Sequence, residues 1–270
     1  MKKSLMTLSL LGAFAVPAFA EEAAPAAEAA PAAEAKPFTA NVGIVSDYVF
    51  RGISQSQHKP AIQGGFDYAH ESGLYVGTWA SNVNWVSATN NKLDNSLEWD
   101  IYGGFKGAFA DDFSYDLGVL EYYYPGAVNA GYANVNSTEV YASIGWKFIT
   151  LKYNYTVSSH LFGWTNATNT LNTRGSGYID LSANYDLGDG WGVVGHVGHQ
   201  DIKHLGSASY TDWKAGVTKD VGFGVIGLSY TGTDAKYDAN LLQTNYNWGN
   251  AGSAKDAGKD VVTLSFNKTF

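Results

Sequence analysis

The sequence predicts an all-β protein, a single transmembrane antiparallel up-and-down β-barrel of about 12 strands. Three observations predict this class. Apolar and polar residues alternate with a period of two in successive segments, and the connections between those segments are alternately short and long. The chain also ends in an alternating strand whose last residue is Phe270.

The first 20 residues have the three parts of a secretory signal peptide. Lysines at positions 2 and 3 give the positive start, an apolar core follows, and Ala18-Phe19-Ala20 is a small-x-small cleavage site. The apolar core is too short to span a bilayer as a permanent helix. We therefore expect cleavage after Ala20.

Residues 21–37 are almost entirely Ala, Glu and Pro (EEAAPAAEAAPAAEAKP). Such a stretch buries little, and its prolines interrupt any helix, so we expect a flexible periplasmic tether. Residues 38–270 are then predicted to form the barrel, in one domain.

Composition excludes several functional classes. The chain of 270 residues has no cysteine, which removes disulfides, thiolate catalysis and most structural zinc sites. Its formal net charge of −8 argues against nucleic acid as a partner, because that would need a basic face. We expect no nucleic-acid partner, no metal site and no cofactor.

The alternating segments define the strands. They cover 38–50, 60–70, 73–85, 96–110, 112–124, 137–148, 150–160, 176–187, 191–203, 208–219, 222–234 and 259–270. In the fourth segment Leu97, Trp99 and Ile101 alternate with Glu98 and Asp100. A face with a carboxylate at every second residue cannot meet lipid, so it must face water inside the barrel.

The connections predict the topology, since outer-membrane barrels have short periplasmic turns and longer external loops. The short ones are 70–73, 111, the junction near 149, 188–190 and 220–221, and the long ones are 51–59, 86–95, 125–136, 161–175, 204–207 and 235–258. Starting from a periplasmic N-terminus, 12 strands return Phe270 to the periplasm. The loop 235–258 is long enough to fold inward and constrict the barrel.

The final strand resembles the recognition signal of bacterial outer-membrane proteins. Val262, Leu264, Phe266 and Phe270 share one face, and the alternate residues of the strand are mostly polar. Lys268 departs from this signal, where an apolar or aromatic residue is usual, but its side chain can snorkel to the headgroups. We expect the barrel-assembly machinery to bind this strand in a Gram-negative cell, with the lipid bilayer and lipopolysaccharide as further partners.

Several stretches resemble the TorF family of bacterial outer-membrane porins. They are 47–55 (DYVFRGISQ), 59–68 (KPAIQGGFDY), 73–83 (GLYVGTWASNV), 115–119 (YDLGV), 124–126 (YPG), 138–141 (TEVY) and 210–214 (YTDWK). The resemblance covers most of residues 38–270 and is specific through the first three strands. It implies an outer-membrane location and a pore.

The function predicted from these observations is a porin-like channel for passive diffusion of small polar solutes. The predicted pore-lining residues are Asp47, Arg51, Asp67, Glu98, Asp100, Lys106, Glu139, Lys147, Lys152, Asp180, Asp186, Asp212 and Lys214. Twelve strands lie between filled eight-stranded barrels and open porins, so a narrow pore is expected. A structural or adhesive barrel that does not conduct is the main alternative.

A hydrolase borne by the barrel is the other alternative, because His196 lies on the polar face of its strand. From there it could approach Asp180, Asp186 or Asp212 on neighbouring strands, and catalysis would further need Ser182 or a similar hydroxyl within hydrogen-bond reach. A polar lumen brings such residues together by chance. We therefore predict that the protein is not an enzyme.

Aromatic residues near the predicted strand ends are typical of the girdles that fix a barrel at the membrane interfaces. They are Tyr75, Trp85, Trp99, Tyr122, Tyr123, Tyr124, Trp146 and Trp191.

Overall fold

The computed structural model describes residues 37–89, 94–127, 132–238, 246–249 and 254–270. The predicted signal peptide, 1–20, lies outside the described residues, as does the predicted tether apart from Pro37. Among the residues that are described, no helix is both long and apolar enough to cross a membrane.

The regular secondary structure of the described residues is almost entirely strand. In chain order the elements are β1 (Phe38–Val45), β2 (Val49–Phe50), β3 (Ile53–Ser54), β4 (Ala61–Ala69), β5 (Leu74–Asn82), α1 (Trp85–Thr89), β6 (Leu97–Ala110), β7 (Phe113–Tyr123), β8 (Ser137–Trp146), β9 (Ile149–Thr156), β10 (Gly177–Gly188), β11 (Trp191–Asp201), a 3₁₀ turn (Gly206–Ala208), β12 (Tyr210–Asp220), β13 (Val225–Thr233), β14 (Asn247–Trp248), β15 (Lys255–Asp256) and β16 (Val261–Thr269).

Twelve of these strands form a closed barrel in the order β1-β16-β13-β12-β11-β10-β9-β8-β7-β6-β5-β4. Each pairs antiparallel with its neighbours, and the first and last strands close the sheet, with Asn41 opposite Thr269 and Val45 opposite Ser265. Closure leaves the wall without an unpaired edge. The predicted fold class, an antiparallel barrel of about 12 strands, is therefore confirmed.

The barrel has two different ends. The short connections lie at one end together with Phe38 and Phe270, and we call it the turn end. The longer connections lie at the opposite end, which we call the loop end. Alternation in the sequence places most strand boundaries within two or three residues, because each strand stops where the chain leaves the ladder of backbone hydrogen bonds.

The two faces of the wall differ in chemistry, as the alternation predicts. Large apolar side chains are exposed on the outside of every barrel strand; examples are Val42, Phe66, Val76, Ile101, Leu117, Val140, Leu151, Leu181, Val197, Val217, Leu228 and Leu264. The alternate positions point inward and include buried Gln63, Glu98, Glu139 and Asp212. An apolar exterior around a polar interior is the arrangement that lipid requires of a barrel.

The first strand is shorter than predicted. Alternation suggests a strand over 38–50, but the wall strand β1 ends at Val45, and Ala61 of β4 pairs with that same residue. The intervening segment 46–60 leaves the wall and folds into the lumen, where β2 and β3 form a small hairpin. A period of two describes this inner hairpin as well as it describes the wall, so the sequence pattern cannot separate them.

Segment 46–60, which the sequence did not place in the lumen, therefore forms a constriction at the loop end. Segment 46–60 fills the lumen at the loop end, whereas the described part of loop 235–258 lies over it, with β14 paired to β15. Residues 239–245 and 250–253 of that loop lie outside the described residues.

Only half of the aromatic residues predicted for the girdle lie on the outside of the barrel. Trp99, Tyr123, Trp146 and Trp191 are exposed on the outside near strand ends. Tyr122 and Tyr124 instead point inward and are buried, and Tyr75 and Trp85 pack against the same interior cluster. Tyr75 and Tyr122 occupy inward positions of β5 and β7, whereas Tyr124 follows the end of β7 and Trp85 begins α1.

Candidate functional site: a hairpin seated in the lumen

The hairpin turns at Arg51 and Gly52. Val49 pairs with Ser54 and Phe50 with Ile53, which leaves two central residues, with φ of 48° at Arg51 and 75° at Gly52. A two-residue turn with both φ values positive has the form favoured in tight hairpins, and Asn-Gly is its preferred sequence. Glycine is required at the second position, since a Cβ there would overlap the side chain of Asp212.

The base of the hairpin is tied by Asp47, whose side chain is 4% exposed. Its carboxylate accepts hydrogen bonds from the hydroxyls of Ser54 and Ser56, and its Oδ2 lies 2.6 Å from Nδ1 of His58. The Ser56 hydroxyl also accepts from the backbone N–H of Tyr48 at 2.9 Å. Asp47 thus organises the segment itself and does not line a channel.

The tip of the hairpin reaches the far wall through Arg51. Its guanidinium is held in a bidentate ion pair by Glu139 of β8, with Nη2 at 2.7 Å from Oε2 and Nη1 at 3.1 Å from Oε1. Nη1 also donates to Oε1 of Gln200 on β11 at 2.8 Å, and the guanidinium carbon lies 4.3 Å from the ring centre of Tyr178 on β10. Paired carboxylate oxygens and an aromatic face are the partners that a planar guanidinium prefers.

A second polar contact lies on the other side of the hairpin. Tyr48 donates to Oε1 of Glu98 at 2.6 Å, and Tyr124 donates to Oε2 of the same carboxylate at 2.7 Å. Burial raises the pKa of Tyr48 well above its usual value, and the carboxylates of Glu98 and Asp100 raise it further. The hydroxyl therefore keeps its proton and can donate.

Apolar contacts complete the seat of the hairpin. Tyr48 packs edge-on against Trp79 with ring centres 5.5 Å apart, and Phe50 packs against Tyr122 at 5.7 Å. Ile53 joins a separate buried cluster that includes Trp248. Between them, these aromatic and polar contacts reach strands from β5 to β12, so the hairpin crosses the lumen.

Loop-end segments cover the hairpin from outside. The backbone N–H of Ser54 donates to the carbonyl of Ala257 at 2.9 Å, and the His58 ring packs against Trp248 with centres 5.0 Å apart. The carbonyl of Gln55 accepts from the N–H of Trp85 at the start of α1. The hairpin is therefore held from both sides, by the wall and by the covering loops.

The predicted lining residues fall into three groups. On the inner face of wall strands lie Asp67, Glu98, Asp100, Lys106, Glu139, Lys152, Asp180, Asp186, Asp212 and Lys214. Asp47 and Arg51 belong to the inserted segment. Lys147 lies outside the lumen: it occupies the turn between β8 and β9 with a φ of 54°, half exposed, 3.6 Å from the Asp112 carboxylate.

Towards the turn end, below the hairpin, tyrosines and lysines line the lumen. Tyr75 bonds to both Asp116, at 2.6 Å, and the hydroxyl of Tyr141. Lys152 lies 4.1 Å from the ring centre of Tyr141, and Lys106 lies 5.0 Å from that of Tyr75. The sequence predicted Tyr75 in the interface girdle and gave no role to Tyr141, although strand phase could have placed both inside the barrel.

His196 has the neighbours that the hydrolase alternative requires, but not the arrangement. Its Nδ1 contacts Asp180 and its Nε2 lies 2.6 Å from Asp212, so each ring nitrogen faces a carboxylate. Ser182 donates to Asp180 at 2.9 Å. A nucleophile needs a ring nitrogen free to take its proton. Across the described part of the chain, no group of His, Asp and Glu has the geometry of a metal site.

Fold and site together define a membrane-type β-barrel whose lumen is crossed by its own first loop. The chain belongs to the family described as bacterial protein of unknown function (Gcw_chp), whose model matches residues 28–270. That description does not contain the TorF name, so the TorF resemblance stays a prediction. A comparison with curated proteins finds no match for this sequence.

Several solved structures are similar to this chain at low sequence identity. The KdgM porin is 4% identical, with a TM-score of 0.49 over 86% of this chain and 98% of that chain. The NanC porin is 10% identical, with a TM-score of 0.43 over 86% and 97%. OprD of Pseudomonas aeruginosa is 12% identical, with a TM-score of 0.42 over 88% and 68%. These likenesses concern the fold alone.

Proposed function

We propose that this barrel is an outer-membrane channel for passive diffusion of small polar solutes, and not an enzyme. The observation that carries the proposal is the closed wall with an apolar outside and a polar, charged inside. A barrel that needed only to stand in the membrane would gain stability from an apolar filling, whereas buried charges cost free energy unless each is paired.

Passage through this channel would be limited by the inner hairpin. Glu139 and Gln200 lie within two residues of the loop-end limits of their strands, about 7 Å along the wall, so the tip sits near that mouth. Solutes would enter when the hairpin moves aside and would then meet the lysines, tyrosines and aspartates of the turn half. The size of the opening and the mixed charge of the lumen would select among the solutes.

The same proposal gives the barrel an orientation in the membrane, an export signal and an assembly partner. The turn end would face the periplasm and the loop end the cell exterior, where lipopolysaccharide surrounds the barrel. The export signal would be cleaved after Ala20, and the outward residues Val262, Leu264, Phe266 and Phe270 of the last strand and its terminus would be recognised by the assembly machinery.

A structural or adhesive barrel that does not conduct is the second candidate. One observation favours it, namely that the hairpin contacts strands from β5 to β12 and is covered by Trp248 and Ala257. A hairpin that never leaves this seat would keep the lumen closed.

Single-channel recording in planar bilayers separates the two candidates. The refolded protein, checked by its heat-modifiable mobility in gels, should give discrete conductance steps smaller than those of open sixteen-stranded porins. Solute flux into liposomes should fall with solute size. A folded, membrane-inserted protein that gives neither current nor flux would leave the structural candidate standing.

A further inference from the structure

The wall of the lumen contains a site shaped for a guanidinium group, and Arg51 now fills it. Glu139 supplies two carboxylate oxygens, Gln200 a third oxygen acceptor and Tyr178 an aromatic face. Tyr178 is itself fixed, because its hydroxyl donates to Asp212 and its ring lies against Gly198, where any Cβ would overlap it. All three groups belong to wall strands and not to the hairpin.

The wall around this site is acidic beyond the needs of Arg51. Glu98, Asp100, Glu139 and Asp212 all lie at the loop half and are each at most 2% exposed. Asp100 is the clearest indication of excess negative charge. Both of its carboxylate oxygens are buried and have no hydrogen-bond partner among the described residues. A buried carboxylate left without a partner is costly, and a nearby cation offsets that cost.

The backbone conformation at Arg51 does not favour an arginine, so the requirements of the turn do not explain this residue. With φ at 48° it lies in the left-handed region, which costs an ordinary residue roughly 1–2 kcal/mol. Asparagine suits the first central position of such a turn better. The contacts of the arginine side chain therefore hold this residue in place, and a conformational outlier of this kind points to function.

We propose that Glu139, Gln200 and Tyr178 form a binding site for solutes that carry a guanidinium group, and that Arg51 is a tethered occupant which keeps the site filled until the hairpin leaves. This rests on the proposed channel function and adds its solute class. An ammonium ion can satisfy the charge of Glu139 but not the planar, two-pronged pairing, so guanidinium compounds bind in preference to simple amines.

The variant Arg51→Asn empties the site while improving the turn. Methylguanidinium is the probe, and its binding is measured by calorimetry on the refolded protein in detergent, with methylammonium as the matched cation. Arg51→Asn should bind methylguanidinium saturably and methylammonium more weakly. The affinity of the native protein for the probe should be lower by a factor of about ten or more, because the tethered Arg51 competes at millimolar effective concentration.

Second variants keep the test specific. Adding Glu139→Gln to Arg51→Asn should abolish binding. Adding Glu121→Gln to Arg51→Asn should leave binding intact, because Glu121 accepts from Thr138 on the outer face of the β7–β8 pair and not in the lumen. If folded Arg51→Asn binds neither cation, binds both equally, or binds as well without Glu139, the site is overturned. No step needs ion flow, so a failure of conductance and a failure of this site are separate results.

Discussion

Replacing segment 46–60 by Asn-Gly should convert a narrow or closed barrel into one with several-fold larger and longer-lived conductance steps. Val45 and Ala61 are opposite each other in the ladder between β1 and β4, so a two-residue turn can join these strands. The variant also loses the Ser46 hydroxyl, which accepts from the backbone N–H of Leu264 on β16. The hairpin that crosses the lumen is then gone. Water and salt can reach Glu98 and Glu139, which removes their desolvation.

The matched control shortens a loop that stays outside the barrel. Residues 166–170 form an exposed turn whose hydrogen bonds are mostly internal, so their removal should leave conductance unchanged. Both variants are recorded in planar bilayers after the same check of heat-modifiable mobility. If the barrel without the hairpin folds and conducts no more than the native protein, another segment closes the lumen.

His196→Ala should destabilise the barrel strongly, by about 3–5 kcal/mol in the free energy of unfolding. Asp180 and Asp212 flank the imidazole, whose side chain is 4% exposed, and each carboxyl group contacts one ring nitrogen. A histidine ring can hydrogen-bond through both of its nitrogens at once, so this one side chain serves two acidic groups. Removing it takes this shared partner away from Asp212, which is fully buried, and from Asp180, which is mostly buried.

The control for this prediction lies on the same strand. His199 is exposed on the outer face, where it contacts Thr211, and His199→Ala should leave stability nearly unchanged. Both variants are compared with the native protein by urea unfolding in detergent, followed by intrinsic fluorescence. Equal effects of the two substitutions would mean that the carboxylate–imidazole pairing does not stabilise the lumen.

The wall could be predicted from the sequence because each barrel strand must satisfy two solvents at once. Lipid outside and water inside impose a strict alternation, and Ile101 beside Asp100 is as readable in the sequence as in the structure. The same reasoning placed His196 on the inner face within reach of Asp180, Asp186 or Asp212, and in the structure its ring contacts Asp180 and Asp212. Local pattern suffices when a residue's environment depends on its own strand.

The hairpin could not be predicted in this way, because its environment depends on distant strands. Val49 and Phe50 continue the alternation of the first strand, so the pattern runs past the true end at Val45. Gly52 alone, within the predicted loop 51–59, is a weak turn signal. The contact between Arg51 and Glu139 joins residues 88 apart in sequence, and no local rule reports it.

Loop 235–258, which covers the hairpin, shows a second limit of prediction from sequence. The length of 235–258 indicated only that this loop could fold inward, and loop length does not reveal which loop finds partners in the lumen. The deciding feature was a short segment rich in groups that the wall can bind, namely Tyr48 for Glu98 and Arg51 for Glu139. Complementarity across the lumen selected the inserted segment.

Hydrogen exchange at the backbone amides of segment 47–56 tests the central claim, that the first loop is seated inside the barrel, most directly. The amides of Tyr48, Ser54 and Gln55 bond to Ser56, Ala257 and Tyr48 respectively, in a segment shielded by the wall and the covering loops. In the refolded protein their exchange should be slowed towards that of the wall strands, while residues 166–170 exchange quickly. Exchange of 47–56 as fast as that exposed loop would contradict the account.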